Sequence, residues 1–89
     1  MIVVWTDYMK YKAKLRGFDL DKIENILKIS AERYTDTVTN RRVAVGRYDN
    51  KLVSIPYETD KSSITPVTIH VTTRQQIDFR IRTGRFTHE

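Results

Sequence analysis

The sequence predicts an α+β fold, with two N-terminal helices, an antiparallel meander of strands and a C-terminal helix. Apolar residues follow the 3.6-residue period of a helix in the first third of the chain, and the two-residue period of strands from Glu32 to Thr72. Asn40 and the Asp-Asn pair at 49–50 are turn-forming residues that divide this second part into short segments. The chain is long enough for one domain, residues 1–89, with one modest core.

The first helix is expected to run from Thr6 or Asp7 to about Arg16, after a short buried strand at 2–5. Either residue can cap a helix N-terminus, and a glycine follows where a helix C-terminus favours left-handed backbone. One apolar stripe has the spacing i, i+3, i+7 and consists of Tyr8, Tyr11 and Leu15. The other positions carry a run of cations, namely Lys10, Lys12, Lys14 and Arg16. A charge run is most often a solvated face, so we interpret this one as a secondary contact surface or an aid to solubility.

A second helix is predicted from the N-cap Asp19 to about Ser30. Leu20, Ile23 and Leu27 form its inward stripe, since they lie on one side of a helix. The two helices are joined by only two residues and therefore form a hairpin.

Four strands are predicted in the meander, at about 33–37, 41–48, 51–58 and 64–71. Helices are expected to cover one face of this sheet. The other face is expected to be less apolar and open, and would carry Arg42, Ala44, Tyr48, Ser54, Thr68 and His70. Pro56 and Pro66 lack a donor N–H, so we expect them at a sheet edge or at strand ends.

The last helix is expected to open at Thr72 or Thr73, because a glutamine follows three residues later as in a capping box. Ile77 gives this helix an apolar side, and Gly84 can end it. Phe86 is then close enough to fold back on the sheet.

The positive charge of the chain predicts an anionic partner. Sixteen Lys and Arg residues against eleven Asp and Glu residues give a formal net charge of +5. This balance favours RNA, DNA, an acidic protein or an acidic membrane surface as the partner. Arginine is concentrated near the C-terminus, and its planar guanidinium can hold two phosphate oxygens at once or stack on a base.

Several classes of function find no support in the composition. The chain has no cysteine, which excludes disulfides and thiolate metal sites, and its two histidines are too far apart to suggest a metal site. It has no Gly-rich phosphate loop and no paired carboxylates at useful spacing. No signal peptide or membrane helix is visible, so we expect a cytoplasmic protein without a cofactor, a metal or a membrane partner.

A series of short motifs along nearly the whole chain resembles a known family. The motifs are the Trp that ends the first strand, Arg16-Gly17-Phe18 after the Lys-rich helix, Arg41-Arg42-Val43-Ala44-Val45-Gly46, Tyr57, Thr68-Ile69-His70, Thr73-Arg74-Gln75-Gln76-Ile77, Arg80 and Gly84-Arg85-Phe86. In this order they are similar to the small DUF4258-type proteins. That family is grouped with the BrnT and RelE/ParE-like toxins of toxin–antitoxin systems.

The resemblance implies a RelE/BrnT-like microfold, in which two helices pack on a curled antiparallel sheet with a concave basic face. Toxins of this kind are commonly metal-independent ribonucleases that cleave mRNA, and an acidic antitoxin protein neutralises them; some bind a gyrase instead. Family members often have a histidine early in the first helix. This chain has Tyr8 there, so no histidine role carries over to that position.

Three residues are predicted to be catalytic in such a reaction: His70, Arg74 and Arg80. Cleavage without a metal needs a base for the 2′-hydroxyl, an acid for the leaving oxygen and positive charge beside the phosphorus. His70 is the histidine away from the chain ends, and its side chain suits proton transfer near neutral pH. The alternative is structural, because a lone histidine on a strand is often a surface residue and Arg74 can pair with Asp78 four positions later.

Five further residues are predicted to bind RNA: Arg42, Arg47, Tyr48, Arg82 and Arg85. The arginines would hold phosphates, although some of them could serve only to solvate strand ends or the helix exterior. Tyr48 would stack on a base, since it shares its alternation with Arg42. Tyr57 and Trp5 are assigned to the core instead.

These observations leave three hypotheses. The first is a toxin-like, metal-independent endoribonuclease that acts on mRNA. The second is a non-catalytic module that binds RNA or an acidic protein on the same face. The third is a structural protein that dimerises through an exposed strand edge, and a homodimer is compatible with all three.

Overall fold

The computed structural model describes all of residues 1–89 and contains three helices and seven strands. The helices are α1 (Asp7–Arg16), α2 (Leu20–Ile29) and α3 (Arg74–Arg82). The strands are β1 (Ile2–Val3), β2 (Glu32–Asp36), β3 (Arg41–Tyr48), β4 (Lys51–Thr59), β5 (Ser63–Pro66), β6 (His70–Thr72) and β7 (Phe86–His88). This order confirms the predicted α+β fold, with two N-terminal helices, a largely antiparallel sheet and a C-terminal helix.

The strands form one sheet in the order β1-β5-β4-β3-β2-β7, and β6 pairs with β4 next to β5. All pairs are antiparallel except β1 with β5. The expectation of a buried first strand is wrong, because β1 is an edge strand and Ile2 is 69% exposed. The sequence also does not predict β7, which forms because Phe86 folds back and pairs with Asp36 of β2.

Local capping places the helix ends as the sequence predicts. The side chains of Thr6, Asp19 and Thr73 each accept a hydrogen bond from a backbone N–H in the first turn of their helix. Gly17 ends α1 with a φ of 76°, a conformation that glycine adopts without strain. None of the three helices has the length and apolarity that crossing a membrane requires.

The apolar stripe predicted on α1 faces solvent. Tyr8, Tyr11 and Leu15 are 57%, 62% and 67% exposed. The helix contacts the core instead through Met9 and Ala13, which are fully buried. The spacing of large apolar residues therefore does not identify the buried side of this helix.

The main core lies between the two N-terminal helices and one face of the sheet. Its buried members come from α1, α2 and strands β3 to β5, and they include Met9, Ile23, Leu27, Tyr48, Val53, Ile55 and Tyr57. Trp5 is half-buried and packs against this cluster. The assignment of Tyr57 to the core is confirmed, since it is 2% exposed.

A second core lies on the opposite face of the sheet, beneath α3 and β7. Val43 and Val45 of β3 pack there with Ile77 of α3 and with Phe86, which stacks on Tyr34 at 5.4 Å between ring centroids. This face is consequently not open along its whole length. Only the part beside β6 remains uncovered.

The residues assigned to the open face do not share one face. Ala44 pairs with Ile55 on the side of α1 and α2, whereas Ser54 pairs with Val45 and His70 on the side of α3. The two-residue turn between β3 and β4 causes this, because it pairs even-numbered residues with odd-numbered ones. The placement of Arg42, Ala44 and Tyr48 with Ser54 and His70 is therefore wrong.

The strand predicted at 64–71 is divided into β5 and β6 at the point where it passes Pro56 of β4. Val67 N–H donates a hydrogen bond to the carbonyl of Pro56 at 2.8 Å, so this side of Pro56 faces the segment between β5 and β6. Because Pro56 has no N–H, it cannot donate a second hydrogen bond on that side, and the pairing is interrupted there. Pro66 ends β5, as expected. The break leaves β6 as a short separate strand beside α3.

Replacement of Gly46 by Ala is predicted to destabilise the fold. A Cβ atom at Gly46 would lie 2.7 Å from Cγ2 of Ile26, so α2 and β3 would have to separate. We expect a loss of about 1–3 kcal/mol in the free energy of unfolding, measured by urea denaturation. The double variant Gly46→Ala/Ile26→Ala should lose less than the sum of the two single losses, and strict additivity would contradict this contact.

Candidate nucleic-acid interface

A groove lies between α3 and the uncovered part of the sheet beside β6. Its volume is about 420 Å³, which is typical of a ligand site. Its lining is mainly polar, and the polar members are Asp36, Thr39, Arg41, Ser54, Thr68, His70, Thr72, Gln76, Arg80 and Arg85. The groove thus brings together His70 and Arg80, two of the three predicted catalytic residues, with the predicted RNA-binding residue Arg85.

His70 is positioned at the start of β6, where it pairs with Ser54 of β4. Partial burial lowers the pKa of its imidazole below the usual value of 6.5, and the positive charges of Arg16, Lys12 and Arg80 lower this pKa further. No carboxylate is among the groups that act on it. The lowered pKa favours the neutral form of the imidazole near pH 7, and the side-chain charges that act on it are positive.

Helix α1 supplies two of these cations. Arg16 Nη1 donates a hydrogen bond to the carbonyl of Ile69 at 2.6 Å, directly before His70 in the chain. Lys12, one turn earlier, lies 5.5 Å from the ring centre of Tyr8. The cation run of α1 is thus not only a distant solvated face, because Arg16 donates a hydrogen bond to the backbone directly before β6.

The guanidinium of Arg80 has no carboxylate partner within 4 Å and donates no hydrogen bond to the protein. Its guanidinium lies 5.4 Å from the ring centre of the buried Phe86, which supports it from below. Gln76, one turn earlier on α3, lines the same groove. The charge of Arg80 is therefore available to an anion in the groove.

Two further polar side chains have atoms in the groove wall without a hydrogen-bond partner. They are Nε of Arg41 and Oγ1 of Thr68. Arg41 Nε forms an ion pair with the carboxylate of Glu58 at 3.6 Å, and the side chain of Glu58 is mostly exposed. Buried polar atoms rarely lack a hydrogen-bond partner, so these two atoms make this part of the groove wall unusual.

Among the arginines of the groove, Arg41 is the one that the sequence predictions missed. It shares a strand face with Val43 and Val45, which pack under α3. Alternation along β3 from these two valines would have placed Arg41 on the α3 side. The signal was present, but Arg42 was chosen because the wrong face was expected to be open.

Arg85 lines the groove but its charge is already compensated. Its Nη2 lies 3.2 Å from Oδ2 of Asp36, whose side chain is only 7% exposed. Burial raises the pKa of Asp36, but hydrogen bonds from Arg85 and from the backbone N–H groups of Val38 and Thr39 outweigh this, so the pKa is lowered. The pair holds β2 to the end of α3, and Arg85 contributes less net charge to a ligand than Arg80 does.

Arg74 lies outside the groove and does not join His70. It makes two hydrogen bonds to the carboxylate of Glu32, at 2.6 and 3.0 Å, and it does not pair with Asp78. Tyr34 donates a third hydrogen bond to Glu32 at 2.6 Å. Burial and this hydrogen bond raise the pKa of Tyr34 to about 12. Arg74 therefore fastens the start of α3 to β2.

The remaining predicted RNA-binding residues are dispersed. Arg42 lies on the other face and pairs with Glu89 at 3.3 Å. Arg47 lines a separate shallow groove together with Arg74, and Arg82 is exposed on α3 outside the main groove. Tyr48 is 8% exposed, and its hydroxyl accepts a hydrogen bond from Asp19 N–H at 2.6 Å, so the expectation that it stacks on a base is wrong.

Comparison of the chain with protein-family models, with curated proteins and with solved structures found no match. The proposals below therefore depend on the groove itself and on the resemblance described above.

The ion pair of Glu32 is predicted to make stability depend on pH. The hydrogen bonds from Arg74 and Tyr34 lower the pKa of Glu32 from its usual 4.5, although partial burial opposes them. Its stabilising contribution is therefore present above about pH 4.5 and is lost as the pH falls through the lower, folded-state pKa. Glu32→Gln should cost no more than about 1 kcal/mol at pH 7, because both partners are partly solvated.

The measurement is the free energy of unfolding from urea titrations between pH 2 and pH 7. The difference between wild type and Glu32→Gln should shrink as the pH falls below 4.5. Asp36 and Asp60 also have lowered pKa values, so a residual pH dependence is expected in the variant. A difference that stays constant over the whole range would contradict the pairing.

Proposed function

We propose that this protein binds RNA in the groove beside β6 and cleaves it without a metal ion, in the manner of RelE/BrnT-like toxins. The observation that carries the proposal is that His70 and Arg80 line one groove, and that the guanidinium of Arg80 has no carboxylate partner there. Arg16, Lys12 and Arg80 also lower the pKa of the His70 imidazole. This is an arrangement suited to a phosphodiester, which is anionic and has a hydroxyl to deprotonate beside it.

Binding would begin with the phosphate. Arg80 is the unpaired guanidinium of the groove and can hold two phosphate oxygens. Arg41 adds a second guanidinium to the groove lining, although Glu58 lies 3.6 Å from its Nε, and Thr68 adds a hydroxyl without a hydrogen-bond partner. Arg85 would add a weaker contribution because Asp36 already holds it.

Cleavage would use His70 as the base. The neutral imidazole accepts the proton of the 2′-hydroxyl, the 2′-oxygen attacks the phosphorus, and the bond from phosphorus to the 5′-oxygen breaks. The products are a 2′,3′-cyclic phosphate and a 5′-hydroxyl, whose proton comes from the imidazolium or from water. Arg80 would stabilise the extra negative charge on the phosphoryl oxygens in the transition state.

A non-catalytic RNA-binding module is the second candidate function. The observation that favours it is the lack of a second proton donor, since Tyr48 and Tyr57 are buried in the main core and Asp36 is engaged by Arg85. The same groove would then hold RNA without cleaving it. Binding that weakens steeply with salt, without any cleavage, would select this function.

The toxin proposal also implies partners. An acidic antitoxin protein would neutralise a protein with a net charge of +5, and a short acidic reading frame next to this one would support that role. Expression of the protein alone should slow growth if it cleaves mRNA. A homodimer through the exposed edge of β1 remains compatible with either function.

Two substitutions in the groove are predicted to abolish cleavage. His70→Ala removes the base and Arg80→Ala removes the unpaired charge, so each should lower the cleavage rate of single-stranded RNA in EDTA by about 100-fold or more. Arg74→Ala is the matched control, because it removes an arginine of the same helix that is engaged by Glu32. Cleavage by Arg74→Ala should remain within a few-fold of wild type.

Circular dichroism and urea titrations should confirm that all three variants fold. Undiminished cleavage by both groove variants would remove the assigned roles. Loss of cleavage in Arg74→Ala alone would place the active site on the other side of α3.

The pH dependence of cleavage should report the base. Because cations and partial burial lower the pKa of His70, the rate should rise with pH through a midpoint below 6.5 and then level off. The measurement is kcat/KM between pH 4.5 and pH 8, because this parameter reports the pKa of the base in the free enzyme. A midpoint above 6.5 would contradict His70 as the base. So would residual cleavage by His70→Ala that rises with pH through the same midpoint as wild type.

A further inference from the structure

Phe79 is an exposed aromatic residue on the outer side of α3. Its side chain is 57% exposed and belongs to neither core, so it does not stabilise the fold by packing. It directly precedes Arg80 in the chain. An exposed ring beside an unpaired guanidinium is the combination that proteins use to hold single-stranded nucleic acid.

A hollow around Phe79 adjoins the groove. The hollow is lined by α3 residues and by Arg85, and it shares Gln76, Arg80 and Arg85 with the groove. A ligand that has its phosphate at Arg80 can therefore extend over α3 to the ring of Phe79 without leaving the surface depression.

Two glutamine side chains border the same hollow. Gln76 Oε1 accepts a hydrogen bond from Oγ1 of Thr72 at 3.0 Å, which leaves its amide NH₂ group free to donate. Gln75 makes no hydrogen bond through its side chain. Amide groups beside a stacking ring can form hydrogen bonds with the edge of a base. A phosphate group by itself would not stack on the ring, so this combination favours a nucleotide with its base.

We propose that Phe79 stacks on an unpaired RNA base, next to the nucleotide whose phosphate lies at Arg80. This rests on the proposed function and adds a base-binding subsite to its phosphate site. The preferred substrate is consequently single-stranded RNA, because the bases of a duplex are stacked on each other and cannot reach the ring. The sequence predictions gave the stacking role to Tyr48, which is buried.

The chain contains a matched control for this subsite. Tyr11 is also an exposed aromatic residue on a helix, at 62% exposure, but it does not line the groove or the hollow. If any exposed aromatic ring increased the affinity for RNA, replacing either residue with alanine would weaken binding. A subsite would appear only at Phe79.

The test measures the affinity of the full chain for two labelled decanucleotides by fluorescence anisotropy. One carries ten uracil bases and the other carries abasic sugars, and both have 2′-O-methyl groups so that they cannot be cleaved. Phe79→Ala should weaken binding of the base-bearing decamer by about 5- to 150-fold and leave the abasic decamer unchanged. Phe79→Trp should retain the preference for bases, and so should Tyr11→Ala.

The other outcomes test the phosphate site at Arg80 and the base subsite at Phe79 separately. If Arg80→Ala weakens both decamers and Phe79→Ala weakens neither, the phosphate site stands and the base subsite is wrong. If Phe79→Ala weakens both decamers equally, Phe79 supports the fold or a general contact, and the subsite is again wrong. Loss of self-association in Phe79→Ala with unchanged RNA affinity would identify a contact between copies of the chain. If wild type binds neither decamer, both proposals fail.

Discussion

The antiparallel pairing of β3 with β4 is the constraint on which the rest of the structure depends. The two strands pair from Arg42 with Tyr57 to Tyr48 with Lys51, and the two-residue turn fixes which side chains share a face. One face then receives α1 and α2, and the other receives α3. Strand β4 also pairs with β5 and β6, so the same register places His70 of β6 on the α3 side. The location of the groove follows from this pairing.

Carboxylates then decide which arginines remain available. Glu32 holds Arg74 at the start of α3, and Asp36 holds Arg85 in the segment between α3 and β7. Both pairs fasten the terminal helix and β7 to β2, so their energetic role is structural. Arg80 lies between them on the helix and has no such partner. A basic C-terminal segment thus presents one unpaired guanidinium to the groove, where it faces an imidazole whose surroundings disfavour a positive charge.

Features that depend on a few consecutive residues could be predicted from the sequence, and features that depend on register could not. Thr73 and Gly17 act as helix caps because capping is a local interaction. Tyr48 was placed on the wrong face because its neighbours across the sheet are set by the turn and by α2, which no periodicity reports. The stripe of α1 failed for the same reason, since Ala13 rather than Leu15 meets the core. The convergence of His70 and Arg80 was predicted, but their separation from Arg74 required the partner Glu32.

We propose that the groove receives a phosphodiester between His70 and Arg80. The most direct measurement is a titration of the His70 imidazole by NMR, with and without a short 2′-O-methyl RNA. The free protein should have a pKa below 6.5 at this histidine. Bound RNA should raise this pKa, because a phosphate close to the ring stabilises the imidazolium. An imidazole that titrates identically in the presence of saturating RNA would contradict the claim.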